Sequence, residues 1–315
     1  MARFQIQNPM GIAAGGRPAA ACEITPQGVV AAATPAAGQP PVYAAESLPA
    51  LSLQPGLESN LLDPPSVTAA IRMALNQVQP RVRSVSVVVP DAAVRVFVLD
   101  FDTLPSKLDE ALPVLRFRLR KSVPFDVEHA GITYQVLSEG SSRLETQWKV
   151  LAAVMPGPVL AEYEGAVRAA GYEPGVVLPA SLAALCALSA MDSQEAVLAV
   201  NLNARALTTS IVAGNDMLLY RTVELPLEAE ALRAEVQRSI AVSAAFYEDK
   251  LHVRPHRLLY SGVLSAHDFA LLLDDAEFAV GEIVEQPQTG LMTSMASPMG
   301  QHSVAGVTGA LAGTN

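Results

Sequence analysis

The chain has 315 residues, half of them hydrophobic but only 5% aromatic, which supports about two domains and a sizeable core. That length excludes a peptide hormone or a disulfide-stapled mini-scaffold, and no unbroken apolar run reaches the ~18 residues of a membrane-spanning helix. With 21 basic and 31 acidic residues the net charge is −10, so the chain lacks the positive field that draws proteins to phosphate backbones, and nucleic acid is not an expected partner.

Residues 1–18 are rich in Gly, Pro and small side chains without a period, which predicts a flexible leader. They hold no continuous apolar stretch, so no secretory signal is expected and the chain should stay in the cytoplasm. A hairpin follows, with strands at 20–24 and 29–33 joined by the turn Thr25-Pro26-Gln27-Gly28, then a strand at 42–46. Asp63 and Pro64 predict the start of a helix whose apolar face is Val67, Ile71, Leu75 and Val78, and residues 84–89 return as a strand. The middle reads as a small α/β unit. It has a strand at 94–99, a helix at 105–121 with Leu108, Leu112, Leu115 and Leu119 on one face, and strands at 132–137 and 146–153. Helices are expected at 156–170 and 179–191. The second half then repeats the first order: strands at 196–200, 207–212 and 217–223, a helix from Glu228 to about Lys250, and a strand at 257–260. The helix face is Leu232, Val236, Ile240, Ser243 and Tyr247. Residues 286–303, rich in Pro, Gly, Ser and Met, predict a mobile loop.

Strand, strand, strand, helix, strand thus occurs twice, which suggests two similar α/β halves facing each other across a cleft. The boundaries predicted are a first half of 19–95 and 154–192, an inserted α/β unit of 96–153, and a second half of 193–315. The stretches Val89-Pro90-Asp91-Ala92-Ala93-Val94, Leu115 to Phe125 and Tyr134-Gln135-Val136-Leu137, within this duplicated frame, resemble the PilM family, the actin-like component of type IV pilus assembly related to FtsA. The resemblance implies an actin-like (ribonuclease H-like) fold. It further implies a cytoplasmic platform at the inner face of the bacterial inner membrane, held to the membrane through its partners. Those partners would be the N-terminal tail of a PilN-like single-span protein, bound in a groove, and the pilus assembly motor ATPase.

An actin-like nucleotide site needs two hairpins whose amides cradle phosphates and acidic side chains that hold magnesium. The family's first hairpin typically reads Asp-x-Gly-Ser-Ser. Here it is Glu23-Ile24-Thr25-Pro26-Gln27-Gly28, with Thr25 in the glycine place and Pro26 lacking an amide donor. The second hairpin, typically Asp-x-Gly, is Asn201-Leu202-Asn203, while Thr208 and Thr209 still match. The adenine-side loop, usually Ser-Gly-Gly-Gly, is Ser261-Gly262-Val263-Leu264. Charge, donors and room are reduced together, so Glu23, Thr25, Gln27, Asn201, Asn203, Thr208, Ser261 and Gly262 are expected to form a degenerate nucleotide site. The expectation is a pseudo-ATPase with no catalytic residue and no cofactor, against the alternative of ATP with magnesium in a working ATPase similar to FtsA. A third reading is the cytoplasmic part of a type II secretion platform, which normally continues into a membrane span.

Arg116, Arg118, Arg120 and Lys121 concentrate basic charge in an acidic chain, with Pro124 and Phe125 as an apolar edge. They read either as a solvated helix face or as a docking surface for a membrane-anchored partner or anionic headgroups. Cys22 and Cys186 stand alone in Ala-rich contexts, as buried thiols. His252 and His256 are separated by Pro255, which breaks the helix that would align them, so no metal site is expected. Gly309-Ala310-Leu311-Ala312-Gly313 fits the GxxxG form of close helix packing.

Overall fold

The structure, a computed structural model, describes residues 3–4, 17–36, 39–138, 147–188, 195–203, 205–214, 216–273, 278–285 and 302–312. Its first sheet contains β1 (Arg3–Phe4), β2 (Ala20–Thr25), β3 (Gly28–Ala33), β4 (Val42–Ser47), β5 (Ser84–Val89) and β9 (Glu173–Pro179), in the order β1-β9-β5-β2-β3-β4. The β2–β3–β4 meander is antiparallel, and β5 and β9 are parallel additions that need helical crossovers. Between β4 and β5 runs α1 (Pro64–Val78), capped as expected: the Asp63 carboxylate accepts from the Ser66 amide at 3.2 Å, with Pro at the first position.

Small side chains let this sheet be covered on both faces. Ala20, Cys22 and Ile24 of β2 share a cluster with Val67, Ile71 and Leu75 of α1. Ala21 of β2, with Val30 and Ala32 of β3, points the other way, toward Val307, Ala310 and Leu311. Period-2 alternation therefore puts Glu23 on the second face, beside Ala21.

The inserted unit is a three-stranded antiparallel sheet, β6 (Arg95–Phe101), β7 (Gly131–Ser138) and β8 (Trp148–Met155), in the order β6-β8-β7. Its helix α2 spans Leu108–Leu119, shorter at both ends than the expected 105–121. Leu151, Ala153 and Met155 of β8 join the core shared with the halves, whereas Val150, Ala152 and Val154 join the clusters under α2. α2 therefore lies on the side of the insert that faces away from the main body.

The chain then forms α3 (Gly157–Ala169), β9, and α4 (Ala180–Leu188). β9 was not among the expected elements, because Glu-Pro-Gly-Val-Val-Leu-Pro carries two prolines and a glycine that read as a linker. The second half is a five-stranded sheet of β10 (Val197–Leu202), β11 (Ala206–Ala213), β12 (Asp216–Glu224), β13 (Arg257–Gly262) and β14 (Ala279–Glu282), ordered β12-β11-β10-β13-β14. Helix α5 (Ala229–Leu251) packs on it through Val236, Ile240, Ser243 and Tyr247, as the periodicity predicts, with Leu232 half-buried at the edge. A short α6 (Ala266–Ala270) follows β13.

Three boundaries are corrected. The last helix, α7 (Ala305–Leu311), does not belong to the second half: it crosses back and packs against α4, β2, β3 and β5. The leader is not wholly free of the fold, since Arg3–Phe4 pairs with β9 and Arg17 is buried. Arg17 donates to the carbonyls of Gly309 (2.8 Å) and Ala312 (3.2 Å) at the end of α7. Of the loop expected at 286–303, residues 286–301 lie outside the described residues, and His302 is buried against the first half.

Candidate functional site

The two hairpins expected to cradle phosphate meet across the cleft. In the first, the Thr25 hydroxyl accepts from the Gly28 amide (3.3 Å) and contacts the Gly28 carbonyl (3.0 Å), while Pro26 has no amide to offer. In the second, the Asn203 side-chain oxygen accepts from the amides of Arg205 (3.4 Å) and Ala206 (3.1 Å). Each turn thus consumes amides on its own side chain, an Asx or ST turn that leaves fewer donors for an anion. Gly262 still requires glycine: its φ is 152°, and a Cβ there would lie 2.0 Å from the Leu202 carbonyl oxygen. Ser261 accepts from the Asn201 amide group at 2.8 Å.

The cavity between the hairpins is about 30 Å³ and is lined by Glu23, Gln27, Asn201, Asn203, His302 and Gly306, among others. That volume suits one or two waters, whereas pockets for ligands of nucleotide size run from about 300 Å³ upward. Glu23, Gln27, Asn201 and Asn203 line it, and Glu23 Oε2, Gln27 Oε1, Asn201 Oδ1 and Asn203 Nδ2 have no hydrogen-bond partner among the described residues. Part of the space belongs to α7. A Cβ at Gly306 would fall 2.3 Å from Glu23 Oε2, so the carboxyl rests directly on the first turn of that helix. His302 closes the same side, 3.0 Å from where a Gly28 Cβ would stand, and burial holds its imidazole below the ordinary range.

Burial, with a smaller contribution from the nearby Asp91 charge, pushes Glu23 up to about 8. It is therefore largely a neutral acid at pH 7 in the cleft with no cation beside it. The folded value lies above the ordinary 4.5, so the native state binds the proton more tightly than the unfolded state. Stability is then fullest below the ordinary value and declines as pH rises toward about 8. Glu23→Gln keeps the shape and removes the proton. It should raise the melting temperature at pH 8, by a stability gain of about 1–3 kcal/mol, and hardly change it at pH 4.5. Thermal melts of both proteins across that range check this; a gap that does not widen with pH would contradict it.

Thr208, expected at the nucleotide site, is turned elsewhere. Its hydroxyl donates to Asp91 Oδ2 (3.0 Å), while the Ser181 amide (3.1 Å) and hydroxyl (2.9 Å) donate to Asp91 Oδ1. Tyr220 and Ser181 share a hydrogen bond, and Thr208 another with Thr222 (3.0 Å). Burial raises the Asp91 carboxyl despite those three donors. This buried network joins the turn after β5 and the start of α4 in the first half to β11 and β12 in the second. Asp91 lies within the PilM-like stretch Val89 to Val94. The signal in the sequence is an acid two residues after the valine-rich run Val85 to Val89, which is interrupted only by Ser86.

The partner-binding candidates divide. Arg116 is not free for a partner: its guanidinium donates to the carbonyls of Val127, Glu128 and Ala130, tying the following loop to α2. Arg120 pairs with Glu128 on the surface. Phe125 is half-buried with Leu119, Val127 and Val154 in the core under α2. Arg118 and Pro124 are exposed, as is Phe117 at 76%. Because α2 covers the outward side of the insert, these residues do not wall a groove between the insert and the first half. Among the described residues no group of three or more His, Cys, Asp or Glu could hold a metal, and no helix is long and apolar enough to cross a membrane.

No protein-family model and no curated protein matches the chain. Among solved structures, the "PilM-PilN type IV pilus biogenesis complex" superposes with a TM-score of 0.74 at 18% identity, covering 96% of this chain and 100% of that one. The cytoplasmic domain of EpsL, an inner-membrane component of the type II secretion system of Vibrio cholerae, gives 0.49 at 13% identity, with 93% and 92% covered. The ethanolamine utilization protein EutJ from Carboxydothermus hydrogenoformans gives 0.47 at 9% identity, with 96% and 92% covered. The duplicated halves, the insert between them and this superposition together give the chain an actin-like fold similar to that of the PilM-PilN structure.

Proposed function

We propose that the chain is a non-catalytic scaffold of a type IV pilus assembly platform, at the cytoplasmic face of the inner membrane. It would take the N-terminal tail of a PilN-like single-span protein in the groove between the first half and the insert. The full-length superposition on a PilM–PilN complex supports the platform reading. The observation that carries the non-catalytic part is the inward use of hairpin amides by Thr25 and Asn203, around a cavity of about 30 Å³. The motor ATPase of the assembly is the second expected partner.

Two measurements on the purified chain test this. Magnesium-ATP should produce neither phosphate release nor a thermal shift, whereas a ligand at 100 times its Kd would stabilise the fold by about 2.7 kcal/mol. A shift that disappears in Asn201→Ala would establish a working nucleotide site instead. Titration calorimetry with a PilN-like tail peptide should give a saturable isotherm, and its absence would remove the platform reading.

A further inference from the structure

α2 turns a convex ridge toward solvent on the outward side of the insert. Ala111, Leu115 and Leu119 face the sheet and are fully buried. On the opposite side, at four-residue spacing, stand Pro113, Phe117 and Lys121, all exposed, the last in the turn that continues the helix. Arg118 and Arg120, also exposed, stand to either side of Phe117. Among the described aromatic side chains Phe117 alone is exposed, at 76%.

The charges around this ridge are unevenly matched. Lys107 pairs with Glu110 at 3.2 Å, Arg120 pairs with Glu128, and Asp126 lies 3.8 Å from His129. Arg118 and Lys121 have no ion pair or side-chain hydrogen bond among the described residues. Asp109, the other acid on α2, stands eight residues before Phe117, about 12 Å along the axis. The helix dipole accounts for cations at a carboxy-terminal end, but not for an apolar ring held out among them. The net charge of −10 repels an anionic surface at long range. Screening limits each exposed charge to about 8–10 Å at physiological salt, so the charge on the face presented decides the contact. A protein partner would need a groove matched to the ridge, whereas a lipid surface moulds itself to a convex shape.

We propose that the outward ridge of α2 lies on an anionic lipid bilayer, with the Phe117 ring entering the boundary between headgroups and acyl chains and Arg118 and Lys121 meeting lipid phosphates. This rests on the platform reading above for its setting and adds a direct lipid contact to the hold of the protein partners. One aromatic ring and two unpaired cations make a reversible contact rather than an anchor. A tail that already holds the chain near the membrane strengthens such a contact by raising its effective concentration.

The test is cosedimentation of the full chain with two kinds of vesicle, phosphatidylcholine alone and phosphatidylcholine mixed equally with phosphatidylglycerol. The parent should bind the anionic vesicles, less well as salt rises, and ignore the zwitterionic ones. Arg118→Glu with Lys121→Glu should weaken binding at least about thirtyfold, and Phe117→Ser about tenfold without changing the salt dependence. Melting temperatures should stay at the parent's in both variants, since the altered side chains lie outside the core. Phe117→Trp should shift its emission to the blue on anionic vesicles, while the parent, with Trp148 as its one tryptophan, should not. Absence of the parent from anionic vesicles, or equal binding by the parent and both variants, overturns the proposal. If the parent ignores both vesicles but binds polyglutamate through Arg118 and Lys121, the ridge docks an acidic protein and the lipid contact falls. No tail peptide is present in these mixtures, so a failure here leaves the tail titration standing, and a failed titration leaves a vesicle result standing.

Discussion

Asp91→Ala should lower the stability of the chain by about 3 kcal/mol and loosen the hold of one half on the other. The substitution strands the Ser181 amide and takes one acceptor from the Ser181 and Thr208 hydroxyls, which must turn to Tyr220 and Thr222; all three donors point at the carboxylate from 2.9 to 3.1 Å. A buried donor left without its acceptor costs about 1–3 kcal/mol. Burial already raises the Asp91 carboxyl, so removing it also relieves a desolvation cost; that gain offsets part of the loss and holds the net near the low end of the sum. Asp91→Asn should cost only about 1 kcal/mol, because an amide oxygen still accepts from Ser181 and the Thr208 hydroxyl can turn to accept from the amide nitrogen. Urea denaturation of the three proteins measures both values. Small-angle scattering should show a larger radius for Asp91→Ala alone. Equal stability of the parent and the alanine variant would mean that the network carries no net energy.

Gly309→Ala should be as damaging, for a steric reason. A Cβ at that position would lie 1.8 Å from the Ala183 carbonyl oxygen and 2.9 Å from the Ala187 amide nitrogen, both backbone atoms of α4 that cannot rotate aside. α7 must then pull away from α4, taking Val307, Ala310 and Leu311 out of the cluster they form with Ala21, Val30 and Ala32. Overpacking of this kind costs about 1–3 kcal/mol, and the lost burial adds to it, so a total of about 3 kcal/mol is expected. Gly165→Ala in α3 is the control: nothing lies within 4 Å of its Cβ, and alanine should stabilise the helix by about 0.5–1 kcal/mol. Melting temperatures should move in opposite directions for the two variants, and limited proteolysis should clip the carboxy-terminal segment only in Gly309→Ala. If both variants behave alike, α7 is not seated as the structure has it.

The duplicated order of elements was legible because it rests on local signals that tertiary context did not override. Asp63 with Pro64 starts α1, the Thr25–Gly28 turn closes its hairpin, and α5 buries the face its period specifies. The elements that escaped are those whose identity depends on a distant partner. β9 owes its strand conformation to β5, about ninety residues earlier, and not to its proline-flanked sequence. α7 is seven residues of small apolar type, packed between α4 and the sheet, and so has no polar face from which a period could be read. The GxxxG form did indicate close helix packing at Gly309, without saying which helix. In the candidate site, Glu23, Gln27, Asn201 and Asn203 do converge on one cavity, whereas Thr208 turns to Asp91. Arg116 could not be sorted from Arg118 by sequence, since both lie on α2 and only the loop that folds back over it distinguishes them.

The return of α7 to the first half also bears on how the chain is made. The sheet face formed by Ala21, Val30, Ala32 and Val88 is covered only in part, by Ala180 and Ala183 of α4, until residues 305–311 are available to pack on it, and Arg17 has no Gly309 carbonyl to hold before then. A nascent first half emerging from the ribosome therefore displays a flat apolar face throughout synthesis of the insert and the second half. At about 5–20 residues per second that is an interval of tens of seconds. Chains interrupted before residue 305 should be held by chaperones or lost to aggregation, and the whole actin-like body becomes a single cooperative unit only with its last helix.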